Sequence, residues 1–201
     1  MRHPICTLAF AGLAFVATAF AGTFACSAPP DVQKPAVVLT DAEKLTIKDF
    51  EKRINDYAAL HQKLESSLPA LPDKATPEQI DAHKQALGAK LKEARKDAKE
   101  GDFFTPAMVA IVRRASAATV DGADDKKVKE TIMDENPGTL PNISVNDRYP
   151  DGVPVTTMPV QLLQTLPKLP PELEYRFLGK RLVIVCAPAQ LVLDVTPDVL
   201  I

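Results

Sequence analysis

Eight of the 35 residues from Pro137 to Pro171 are proline. Proline lacks the backbone donor and its ring clashes with the preceding turn, so no long continuous helix can run through this stretch. It divides the chain into two textures. Before it, apolar residues recur at helical spacing; after it, they alternate or run together as in strands.

In the first texture, Thr40-Asp41-Ala42-Glu43 fits a capping box, in which the Thr oxygen and the Glu carboxylate each satisfy a free helix N–H. Thr76-Pro77-Glu78-Gln79 repeats the pattern with Pro at the first helical position, and Thr105-Pro106 gives a third such start. The spacing predicts helices over about 41–67, 77–99 and 106–119, and a shorter one near 125–134 ended by Asn136-Pro137-Gly138. Ile47, Phe50, Ile54, Tyr57, His61, Leu64 and Leu68 form a seam with alternating spacings of three and four. On the second helix Ile80, His83, Leu87, Leu91, Ala94 and Ala98 share a face. The Pro-broken link Leu68–Asp73 folds the two back as an antiparallel hairpin. Their Lys- and Glu-rich outer faces are read as solvated.

In the second texture, Asn142–Asn146 alternates like a short strand, Tyr149-Pro150-Asp151-Gly152 reads as a turn, and Pro159–Leu166 makes two helical turns. Leu173, Tyr175 and Phe177 alternate with Glu174 and Arg176, Gly179-Lys180 suits a tight hairpin, and the apolar runs 182–187 and 191–193 supply two more strands. The expected fold is therefore α+β: an N-terminal antiparallel helical hairpin with further helices, and a small C-terminal antiparallel β-meander. Residues 40–136 form the helical region and 137–201 a Pro-rich wrap and meander, packed together as one domain.

The first 25 residues carry a single charge, Arg2, ahead of an apolar run from Ile5 to Phe24, which reads as a secretory signal. Ala19-Phe20-Ala21 is one cleavage site. Thr23-Phe24-Ala25-Cys26 is another, since a bacterial lipoprotein is cut just before the cysteine that receives the lipid, although Thr23 stands where Leu is usual. Cys26 is thus the lipidation candidate, an uncleaved membrane anchor is the alternative, and residues 26–39 form a Pro-containing tether. The expected location is the periplasm or, through Cys26, the membrane surface of a bacterium. Cys186, inside Leu182–Ala187, has no evident disulfide partner and reads as a buried, inert thiol.

Composition narrows the function classes. With 24 Lys+Arg against 26 Asp+Glu there is no basic footprint for nucleic acid, and eight Phe, three Tyr and no Trp leave little for an aromatic stacking platform. No Gly-x-Ser-x-Gly, Ser-x-x-Lys or Gly-rich phosphate loop occurs, so no catalytic residue and no cofactor are assigned. His61 and His83 each sit on a helical seam, 11 residues before and 11 after Pro72, so a hairpin pivoting there sets both imidazoles at one height. Glu65 lies one turn from His61 and Glu78 near the start of the partner helix; two His and a carboxylate form a recognisable metal set. Packed seam histidines are the alternative reading. Asp121–Asp125 lacks the order of a calcium loop, Asp134-Glu135 points its two carboxyls to different faces, and Arg113-Arg114 faces solvent.

Leu166-Pro167-Lys168-Leu169-Pro170-Pro171-Glu172-Leu173-Glu174-Tyr175-Arg176-Phe177-Leu178-Gly179-Lys180-Arg181-Leu182, with Ile132–Gly138 and Arg148-Tyr149-Pro150, resembles a family of uncharacterised exported bacterial proteins over most of 41–195. The resemblance implies export and no particular activity. More loosely, the tail is similar to small β modules that end other periplasmic proteins, some linked to metal stress, which often place Asp where Cys186 stands. The expected function is a non-catalytic envelope module that binds or braces an unidentified envelope protein through its helices or a sheet edge. The alternatives are a periplasmic metal- or pH-responsive protein using His61 and His83, and a hydrolase of unrecognised type.

Overall fold

Threonine caps start the helices. In the computed structural model, which describes residues 39–119, 130, 141–150, 158 and 160–200, all within the compact unit Pro35–Ile201, Thr40 opens α1 (Asp41–Glu65). Thr40 Oγ1 accepts from the Glu43 N–H at 3.3 Å, and Glu43 Oε2 accepts from the Thr40 N–H at 2.8 Å. Thr76 and Gln79 repeat this exchange at α2 (Pro77–Ala94), and Thr105 Oγ1 accepts from Met108 N–H at the start of α3 (Pro106–Thr119). A short α4 (Val160–Thr165) follows. Each cap contributes about 1 kcal/mol to its helix. The helix expected near 125–134 lies outside the described residues.

The seam of α1 is the one its spacing predicts. Phe50, Ile54, Tyr57 and His61 are buried, with Ile47, Leu64 and Leu68 packed at the margin. They meet Leu87 and Leu91 of α2 and Met108, Ile111, Val112 and Ala115 of α3 in one core.

The tail forms a three-stranded antiparallel meander, β1 (Leu173–Leu178), β2 (Arg181–Cys186) and β3 (Leu191–Asp198), with β2 in the middle. Gly179 begins the two-residue β1–β2 loop at φ 61°, a conformation that side chains with a Cβ seldom take. One face of the sheet, carrying Phe177, Leu182, Ile184, Cys186 and Leu193, packs on the helices. The other carries Val183, Val185, Val192 and Val195 and is covered by Ile143 and Tyr149. Burial on both faces explains why β2 reads as a continuous apolar run. Its register with β3 shifts twice. At one shift Pro197 has no N–H to offer, and the Leu182 N–H donates to Thr196 Oγ1 at 2.8 Å.

Three expectations change. Residues 142–146 form no strand: 141–144 are irregular, Asn146 sits in a turn at φ 66°, and only Arg148 makes a bridge, to Leu191. The alternation of Ile143 and Val145 arises because Ile143 covers the sheet from an irregular segment. The second helix ends at Ala94 rather than near 99: Arg95 leaves helical geometry at φ −114°, ψ 25°, and its carbonyl accepts from the Ala98 N–H at 2.9 Å and from Asn146 Nδ2 at 2.6 Å. Its shared face is only half buried, with Leu87 and Leu91 inside and Ala94 exposed.

Asp194 is fully buried in the core, in the middle of the apolar run Leu191–Val195 of β3. Its Oδ1 accepts from Gly101 N–H at 3.0 Å and Val195 N–H at 2.8 Å, and its Oδ2 from Phe103 N–H at 2.8 Å and Phe104 N–H at 2.7 Å. Beside it the Arg95 guanidinium donates to the Leu193 carbonyl at 2.9 Å and to Asn146 Oδ1 at 3.2 Å, and lies over the rings of Tyr57 and Phe103 at 5.5 and 5.4 Å. Replacing Asp194 by Ala would strand these N–H groups, several of them buried, each costing about 1–3 kcal/mol. Asp194→Ala is therefore expected to destabilise the fold by about 3–5 kcal/mol in denaturant unfolding. A change under about 1 kcal/mol would show that the carboxylate is not the support of the 101–104 turn.

Candidate functional site

His61 reaches its position because it follows Tyr57 by one turn on the buried stripe of α1. It is 4% exposed, its Nδ1 stands 3.6 Å from Glu65 Oε2, and its ring lies 6.3 Å from that of Tyr57. Its Nε2 is buried without a hydrogen bond, as is Tyr57 Oη, which lies beside the Cys186 thiol. The Glu65 carboxylate thus stands on the Nδ1 side of the ring, and Nε2 has no hydrogen-bond partner. An open groove of about 520 Å³ runs past His61, lined also by Gln62, Glu65, Pro171, Glu172 and Pro188. The structure therefore joins His61 to Glu65.

It does not set His83 opposite them. Arg95, just past α2, lies over Tyr57, and Lys90 Nζ donates to Ser67 Oγ, just past α1, at 2.8 Å, so the C-terminal end of α2 runs antiparallel beside the C-terminal half of α1. His83 is then about ten residues from the level of His61, roughly 15 Å along the helix. The symmetric pivot at Pro72 fails because the connection contains two separate turns, Leu68 N–H to the Glu65 carbonyl and Ala75 N–H to that of Pro72, and extends past the end of α1. Half-buried His83 does not line the His61 groove, and exposed Glu78 takes no part in it. Among the described residues, no group of three or more His, Cys, Asp or Glu is placed to hold a metal ion.

Cys186 is fully buried in β2 and free. Burial pushes its thiol up from the ordinary value, and contacts with Tyr57 and the Ala189 backbone offset this in part. Burial likewise raises the Tyr57 phenol, with Cys186 adding to the shift. Arg113 and Arg114 are exposed, yet both are engaged: Arg113 Nε donates to the Asp198 carbonyl at 3.0 Å, and Arg114 pairs with Glu43. Arg114 and the Thr40 cap hold the Glu43 carboxyl at about 2. Cys26, Asp121–Asp125 and Asp134-Glu135 lie outside the described residues, and so does the Asp151-Gly152 half of the expected turn. Among the described residues no helix is long and apolar enough to cross a membrane.

Residue-by-residue reading passed over Arg95 and Asp194. An acidic residue inside the apolar run Leu191–Val195 was their signal, because a buried carboxylate needs converging donors. No protein-family model matches the chain, and no curated protein or solved structure matches it.

The environment of Cys186 gives a direct expectation. With Cys6 and Cys26 replaced by Ser, the Cys186 thiol should react with an aromatic disulfide reagent at least about a hundredfold more slowly in the native protein than in denaturant. Comparable rates in both states would contradict its burial.

Proposed function

We propose that the chain is a non-catalytic exported module that binds a protein partner in the bacterial envelope, using the outer half of α2. The observation that carries this reading is the division of that helix. None of the residues from Pro77 to Ala86 is buried, whereas Leu87 and Leu91 are inside the core. The apolar stripe nevertheless continues outward through His83 to Ile80, which is 36% exposed, and the neighbouring connection adds Leu71 at 41%. An amphipathic stripe continuing beyond its own core matches the helix-in-groove mode of recognition, with anchors three and four residues apart. The tail motif's resemblance to exported proteins and the signal-like residues 1–25 support the envelope setting, with Cys26 as the attachment point for a lipid.

Strand addition at the β3 edge has less support. Along β3, Asn146 N–H donates to the Val192 carbonyl, Val192 N–H to that of Asp147 and Tyr149 N–H to that of Gln190, while Arg95 and Arg113 donate to the Leu193 and Asp198 carbonyls. Added strands need such groups unpaired.

A photo-crosslinking residue at position 80, compared with one at Lys52 on the exposed face of α1, tests the partner reading in living cells. A discrete protein adduct is expected at 80 and not at 52. Ile80→Asp should abolish binding of that purified partner at least tenfold while changing stability by less than about 0.5 kcal/mol. Identical adducts at the two positions, or none at 80, would refute the proposal.

A second reading, a metal-responsive protein, is favoured by one observation: the buried, unbonded Nε2 of His61 beside Glu65. Calorimetry with zinc, nickel and copper on the wild-type chain and on His61→Ala decides it. Stoichiometric heat lost in the variant establishes the site; equal heat in both, or none, removes it.

A further inference from the structure

The groove beside His61 offers mostly hydrogen-bond acceptors. It lies between the C-terminal half of α1, which gives His61, Gln62 and Glu65, and the ends of two strands, which give Pro171 and Glu172 before β1 and Pro188 after β2. A proline has no N–H, so two stretches of the wall are rings that donate nothing. Two carboxylates line the groove, and no lysine or arginine does. Neither carboxylate meets a Lys or Arg within 4 Å among the described residues. Unpaired carboxylates are common on solvated helices and alone mark no site.

His61 is what sets this groove apart. Its side chain is 5% exposed, and neither ring nitrogen has a hydrogen bond: Nε2 is without a partner, and Nδ1 stands 3.6 Å from Glu65 Oε2, beyond hydrogen-bond length. Buried polar atoms are nearly always bonded, so an imidazole with both nitrogens open calls for a group from outside the chain. The Nδ1 edge lies beside groove-lining Glu65, within reach of a molecule held by that carboxylate. Glu65 and Glu172 also act on one place. Burial is the main cause of the raised Cys186 thiol, two residues before Pro188, and the charges of Glu172 and Glu65 both add to it.

We propose that this groove binds a guanidinium group carried on an alkyl stem. A guanidinium presents five N–H donors in one plane, enough for the two carboxylates and a ring nitrogen of His61 together, and its weakly hydrated faces suit the rings of Pro171 and Pro188. The group belongs either to a free alkylguanidine or to an arginine side chain of a peptide, and both present the same donors. The site uses no residue of α2 and so stands independently of the partner reading.

The test is calorimetry and NMR on the full-length chain, with butylguanidine in one arm and the blocked tripeptide acetyl-Ala-Arg-Ala-amide in the other, both in buffer containing EDTA. Saturable one-to-one binding is expected in at least one arm, weakening severalfold between about 20 and 200 mM salt, with the His61 ring signals moving on the same curve. Butylurea, which keeps the shape without the charge, should not bind. Glu65→Gln/Glu172→Gln should reduce affinity at least tenfold. Glu93→Gln/Glu100→Gln, which removes the same charge from exposed positions in and after α2, should leave it within twofold. Butylguanidine binding lost in the first variant establishes a free alkylguanidine; tripeptide binding alone, lost in the same way, establishes an arginine side chain. No saturable binding in either arm, butylurea binding as tight as butylguanidine, unmoved His61 signals, or equal loss in both variants overturns the site. Circular dichroism confirms that each variant is folded. Because EDTA removes metal and the Ile80 crosslink reports on α2, failure here is distinct from failure of either earlier reading.

Discussion

The carboxylate of Asp194 is the constraint on which the remaining packing rests. A fully buried charge is tolerated when donors converge on it, and here four backbone N–H groups do so from two places in the chain. Three of them belong to the turn at 101–104, so the contact that satisfies the charge also fixes the path from α2 into α3. The same turn aims Phe103 and Phe104 inward, Phe104 against Phe50 of α1 with ring centroids 6.0 Å apart, and Phe103 edge-on to Tyr57. The polar contact and the aromatic packing are therefore one construction. Neither can shift without the other.

Arg95 extends this arrangement to the far side of the sheet. Its side chain reaches β3 through the Leu193 carbonyl, its backbone carbonyl receives Asn146, and its guanidinium covers two aromatic rings. Planar, delocalised and weakly hydrated, a guanidinium suits this mixed setting where an ammonium would not. Burial lowers its pKa from the ordinary value, and Tyr57 is foremost among the groups that oppose the shift. The segment at 141–150, which seals the outer sheet face with Ile143 and Tyr149, is thereby tied to the end of α2.

The parts legible in the sequence are those settled by neighbours in the chain. Thr40 with Glu43, Thr76 with Gln79, the α1 seam and the Gly179 hairpin depend on contacts within a few residues, and their patterns are direct. The misread parts depend on distant ones. Nothing local to Arg95 shows that Asn146, 51 residues away, will donate to its carbonyl, which also accepts the Ala98 N–H in the turn after α2. The apparent strand at 142–146 has the right alternation, and only the positive φ of Asn146 and its place against β3 make it a turn. The His61–His83 pairing assumed that a proline-broken connection is a tight pivot. Two turns and an extended link shift the register of α2, so a symmetric count about Pro72 carries no spatial meaning. His61 and Glu65 meet because both lie on one helix at a spacing of four.

The same register accounts for the division of α2. Had the connection been a tight pivot, α1 would have covered Ile80 and His83, and the whole stripe would have become core. Displacement along the helix leaves Leu87 and Leu91 as the only buried residues and carries the first three turns beyond that cover. Gly88 then brings the helix backbone onto the β2–β3 turn. One helix thus carries an exposed apolar edge at its outer end, with Ile80 at the surface. The inner end is fixed by Arg95. With its inner end fixed and its outer end beyond the cover of α1, the helix keeps its apolar stripe half in the core and half at the surface.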